Sequence, residues 1–88
     1  MAPPVLVPIV VPDLGTPQMV LSVWYVRPGE IVYAGERVAE ILIPGATVDI
    51  PAPADGVLAQ QCYSVQQKLQ TGNILGYLDV SSAATSSF

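Results

Sequence analysis

Few of these 88 residues carry side chains capable of chemistry: there is no histidine, one cysteine (Cys62), one lysine (Lys68), and seven acids. General acid/base catalysis needs a tuned imidazole or a close carboxylate pair, and nucleophilic catalysis needs a base beside its serine or cysteine. Asp49, Asp55 and Asp79 are spread over different strands and turns, and Asp55-Gly56 is a common turn pair. Cys62 has no cationic neighbour in sequence and stands among apolar and uncharged residues, the setting of an inert thiol. With one Cys and no His, the chain can build neither an internal disulfide nor a Cys/His zinc site. Lys68 is the only side-chain amine and by itself reads as a solvated surface lysine. On these residues the chain is expected not to be an enzyme and to hold no metal.

The charge balance narrows the partners. Seven acids stand against Arg27, Arg37 and Lys68, for a net charge of −4, and the three bases are scattered instead of clustered. Nucleic-acid binding, which needs cations to displace phosphate counterions, is therefore not expected. Only 11% of residues are charged, against about 25% in an average soluble domain, so the surface must be finished with Gln, Ser, Thr, Ala and apolar groups. A partner covering part of that surface would fit. The N-terminal stretch from Met1 to Pro12 is apolar but lacks a basic start and is broken by Pro4, Pro8 and Pro12. It suits neither a signal peptide nor a membrane span, and the lone cysteine suits a reducing compartment, so the expected location is cytoplasmic.

Short apolar runs rich in Val and Ile, separated by Gly and Pro turns, position these residues on strands. The runs are Val5 to Val11, Met19 to Val26, Arg37 to Ile43, Thr47 to Pro51, Val57 to Cys62 and Ile74 to Val80. Met19 to Val26 is apolar on both faces, with Val20, Trp24 and Val26 on one and Met19, Leu21, Val23 and Tyr25 on the other. Turns fall at Arg27-Pro28-Gly29-Glu30, Tyr33-Ala34-Gly35-Glu36, Pro44-Gly45 and Pro53-Ala54-Asp55-Gly56, and a loop runs from Ser64 to Lys68. Asp13 and Asp55 are expected to bond nearby turn amides, and Trp24 and Tyr25 to pack in the core or an interface. The halves echo each other at a spacing of 37: Val32 with Leu69, Gly35 with Gly72, Val38 with Leu75, and Ile41 with Leu78. Two such units of about four short strands would stack into one flattened sandwich.

Four fragments carry a family likeness: Val11 to Gly15 (VPDLG), Val26 to Ile41 (VRPGEIVYAGERVAEI), Ala46 to Leu58 (ATVDIPAPADGVL) and Thr71 to Val80 (TGNILGYLDV). In this order they resemble the biotinyl/lipoyl carrier domains. The resemblance implies an all-β flattened barrel or barrel-sandwich hybrid of two four-stranded antiparallel sheets with quasi-two-fold symmetry. It places an extension at residues 1–6, the domain at 7–80 and a flexible tail at 81–88, with the termini near each other and the hairpin tip at the opposite end. In lipoyl domains the tip reads Glu-Thr-Asp-Lys-Ala, and the lysine takes the cofactor through an amide. Here Leu42, Ile43, Pro44 and Gly45 stand for the first four of these and Ala46 for the last, so the attachment position is a glycine. The Met-Lys-Met tip of biotin carriers is absent as well. No cofactor is expected, since Gly45 offers no amine, and the resemblance places Lys68 in a later loop far from the hairpin.

Ile43-Pro44-Gly45-Ala46 itself reads as a type II turn, which splays hairpin strands, so a longer connection or a bulge is expected there. Leu42 and Ile43 leave two readings. In one, alternate residues simply pack inward; in the other, the run Ile41-Leu42-Ile43-Pro44, with Met19 and Leu21 beside it, is a contact surface for another protein or another copy of the chain. The function expected is a non-catalytic, lipoyl-like interaction or assembly module. The alternatives are a covalent carrier of a 2-oxoacid dehydrogenase or biotin enzyme with an altered attachment site, and a spacer domain of a membrane-fusion adaptor.

Overall fold

The computed structural model describes residues 3–81, so the tail expected at 81–88 lies, Ser81 apart, outside the described residues. Eight strands follow in order: β1 (Leu6–Val10), β2 (Met19–Trp24), β3 (Ile31–Val32), β4 (Arg37–Ile43), β5 (Ala46–Pro51), β6 (Gly56–Gln61), β7 (Lys68–Leu69) and β8 (Ile74–Asp79). They form two four-stranded sheets, β1-β8-β6-β3 and β5-β4-β2-β7, with every pairing antiparallel. This is the expected all-β sandwich. The proline-bearing strands β1 and β5 sit at sheet edges, where a missing N–H need not break a ladder on both sides. Strands β3 and β7, of two residues each, were not legible as strands because a pair of residues between turns shows no alternation.

The spacing of 37 relates β2 to β6, β3 to β7 and β4 to β8, while β1 and β5 correspond at a spacing of 41, as Val11 and Ala52 show in their equivalent hydrogen bonds. Replacing each of β1 to β4 by β5 to β8, and the reverse, turns the order of one sheet into that of the other. Val32, Leu69, Val38, Leu75, Ile41 and Leu78 are all buried in the one core between the sheets. The amide of Tyr25 donates to the carbonyl of Val38, and its mate, the amide of Cys62, donates to that of Leu75. Pairing slips at Leu21/Val23 and again at Leu58/Gln60, the equivalent places in the two units.

That first slip corrects the faces read for the second strand. One extra residue in β2 swaps inside for outside, so Trp24 and Val26 join Met19 and Leu21 on the core side, while Tyr25 turns out to meet Arg37 and Glu40. The Trp24 Nε1–H donates to the Tyr63 carbonyl at 2.8 Å, satisfying the one polar atom of a half-buried ring.

The repeat also exposes a strained position. Gln66 has φ +75°, and its mate is Gly29 at φ +95°. In the first unit the amide of Gly29 donates to Leu58, and in the second that of Gln66 donates to Leu21, so the same left-handed turn is built once with glycine and once without. The variant Gln66→Gly is therefore expected to gain about 0.5 kcal/mol in chemical denaturation, with relief of strain exceeding the added chain entropy. A loss of stability would show that the glutamine's contacts outweigh its backbone.

Candidate functional site

The hairpin of β4 and β5 closes in the tightest way available. Ile43 pairs with Ala46, leaving only Pro44 and Gly45 to connect the strands. Pro44 presets a negative φ and Gly45 takes φ +78°, the combination a type II turn requires. The longer connection or bulge expected at the tip is absent. The irregularity of this ladder lies instead at its far end, between Arg37 and Ala39, where a bulge can supply the twist the turn does not. A Cβ at Gly45 would meet nothing within 4 Å, so the tip points into open space. The repeat carries the tip onto the chain ends: β1 and β8 pair from Leu6 to Asp79, and the Val80 amide donates to the Val5 carbonyl.

Beside the tip, four residues from four strands lie in one row on the outer face of the sheet. Thr47 pairs with Leu42, Leu42 with Val20, and Val20 with Lys68. Leu42 is 47% exposed, and Ile43 packs against the core, so each of the two readings for this run claims one residue. Pro17, Gln18, Met19, Val20, Leu42, Ile43, Pro44, Gly45 and Lys68 together line an open groove of about 650 Å³. Of the contact residues expected from sequence, Leu42, Ile43 and Pro44 are thus brought together, and Met19, only 2% exposed, closes the groove from the core side. Leu21 is removed from this surface, being fully buried in the core.

Lys68 requires the larger correction. It is not in a loop far from the hairpin but on β7, two strands from Leu42 and in the wall of the same groove. The signal that places it was in the repeat. Val32 matches Leu69, and Ile31 therefore matches Lys68, so a strand at one position implies a strand at the other.

Electrostatically the groove is simple. Its lining contains no acid, and among the described residues Lys68 has no carboxylate within ion-pair distance. Arg37 by contrast lies 3.8 Å from Asp49 and 4.2 Å from the centre of the Tyr25 ring. Partial burial and then the Glu40 carboxylate push the Tyr25 phenol up from its ordinary range, with Arg37 opposing.

The remaining acids serve structure. Asp13 accepts from the Gly15 amide at 2.9 Å, as a local turn bond. Asp55 accepts from Ala34 at 2.7 Å, which ties two separate turns together instead of capping its own. Hydrogen bonds from the Ser81 hydroxyl and amide hold the Asp79 carboxyl below its usual range. Among the described residues no three His, Cys, Asp or Glu gather to hold a metal, and no helix is long and apolar enough to cross a membrane. Cys62 is exposed and a free thiol.

Comparison with known proteins agrees with this geometry. A search of curated proteins gave no match. The solved lipoyl domain of the 2-oxoglutarate dehydrogenase complex from Azotobacter vinelandii is similar, with a TM-score of 0.67 and 26% identity, over 81% of this chain and 92% of that one. The model of the biotin/lipoyl family, described as biotin-requiring enzyme, matches residues 7–78. With the same two-sheet fold and a match over most of its length, the chain belongs to the biotin/lipoyl family.

Proposed function

We propose that this domain is a non-catalytic, lipoyl-like module without an attachment lysine, which binds another protein or another copy of itself through its hairpin region. The observation that carries the reading is the tip: a two-residue turn of Pro44 and Gly45, with no amine to acylate, beside an apolar groove. Acylation needs a nucleophilic nitrogen, and Gly45 has no side chain. Leu42 and Pro44 are apolar and left exposed by the described residues, and such patches on small domains mark contact surfaces. In this reading neither lipoate nor biotin is carried, neither nucleic acid nor membrane is a partner, and the module works in the cytoplasm.

The test is Leu42→Glu combined with Ile43→Ser, followed by sedimentation velocity over a wide concentration range and by pull-down. Burying two or three such side chains contributes on the order of 1.5 to 3 kcal/mol each, enough for a weak to moderate association. The expected result is loss of assembly or partner capture with the fold intact. Association that survives both changes would remove the hairpin from the interface.

A second reading has one observation in its favour. Lys68 places a side-chain amine in the groove wall, two strands from the tip, which is what a covalent carrier with a displaced attachment site would need. Lys68 lacks the flanking acid and the protruding turn of the family's lysine, which is why the interaction reading is preferred.

A further inference from the structure

We infer that the groove beside the hairpin receives an extended segment of a partner protein that presents one apolar side chain and, two residues away, one carboxylate that pairs with Lys68. This rests on the interaction reading above and adds the partner's chemistry. The apolar part of the groove is formed by Pro17, Met19, Val20, Leu42, Ile43 and Pro44, and the only charge in its lining is the ammonium of Lys68. That cation has no acid of its own among the described residues, in a chain whose net charge is −4. A partner carboxylate is the complement it lacks. A run of acids would be repelled by the rest of the chain, so a single one is favoured.

The groove is open, not enclosed. A small carboxylic acid lying in it would keep much of its surface in water, whereas ligand pockets bury about 70 to 90% of what they hold. A protein segment escapes this limit because its flanking residues continue over Leu42 and Val20. Leu42 and Lys68 stand on either side of Val20 in one row, two interstrand spacings or roughly 10 Å apart. In an extended segment, side chains two residues apart share a face at a separation of roughly 7 Å, and the flexible lysine stem can close the difference.

The experiment follows backbone amide NMR signals of the full chain during titration with the capped peptide Ser-Leu-Ser-Glu-Ser-Ser. Shifts are expected at Met19, Val20, Leu42, Gly45 and Lys68. Lys68→Gln, or Gln for Glu in the peptide, should weaken binding about 3-fold, as exposed ion pairs do. Lys68→Glu should weaken it further, and a peptide bearing Lys in place of Glu should restore it. Binding indifferent to these charges yet lost in the variant Leu42→Glu with Ile43→Ser would overturn the inference while leaving the interaction reading in place. A peptide that moves no amide of the groove would overturn the inference as well, and the sedimentation result would then decide the interaction reading separately.

Discussion

Gly76→Ala should destabilise the domain by at least about 3 kcal/mol and leave much of the protein unfolded at moderate temperature. A Cβ at Gly76 would overlap the carbonyl oxygen of Gln60 and stand 3.3 Å from the Trp24 ring. The first contact is backbone on β6, in the central pair of its sheet, so it cannot be relieved by rotating a side chain. Separating β6 from β8 would uncover Leu58 and Leu78, both fully buried. Overpacking of this kind commonly costs about 1 to 3 kcal/mol and more where backbone must move, against a total stability of roughly 5 to 15 kcal/mol for a domain. The mate of Gly76 in the other unit is Ala39, itself fully buried, so the same place in the second sheet accepts a methyl group. Urea denaturation of Gly76→Ala beside Ala39→Gly measures this asymmetry. A Gly76→Ala variant as stable as the parent would contradict the packing described for β6 and β8.

The second large effect is a gain of chemistry. Pro44→Asp with Gly45→Lys rebuilds the Asp-Lys-Ala of a lipoyl tip, because Ala46 already matches. Nothing lies within 4 Å of a Cβ at position 45, so the new lysine would project into solvent. Its φ of +78° is a strained value for a lysine, at about 1 kcal/mol, which the remaining fold can absorb. Incubated with lipoate, ATP and a lipoyl ligase, this variant should move from no acylation to partial acylation of one site. A folded variant that takes none would show that the apolar flank, Leu42 and Ile43, excludes the ligase as effectively as the missing amine.

Much of this architecture is legible in the sequence because it is written twice. Val38 with Leu75 and Ile41 with Leu78 locate two matching strands, and Val32 with Leu69 marks equivalent positions without revealing that each lies on a two-residue strand. What periodicity cannot show is a register slip. The bulge at Leu21/Val23 reverses the faces of Trp24 and Tyr25, and no local signal distinguishes an inserted residue from an ordinary one in a run apolar on both sides. The site was legible in part. Leu42, Ile43 and Pro44 follow from their place in the hairpin, whereas Lys68 arrives from the other end of the chain through the pairing of β2 with β7. Leu21 was misplaced for the converse reason, since adjacency to Met19 in sequence says nothing about depth.

In the proposed function this scaffold keeps the carrier fold without the carrier chemistry. Intact mass spectrometry of the unaltered chain, after incubation with ATP, the matching ligase and either lipoate or biotin, tests it most directly, with the Asp-Lys variant as positive control. An unchanged mass with both cofactors is expected. A stoichiometric gain of one acyl group, mapped by peptide analysis to Lys68, would contradict it and establish the domain as a carrier with a displaced arm.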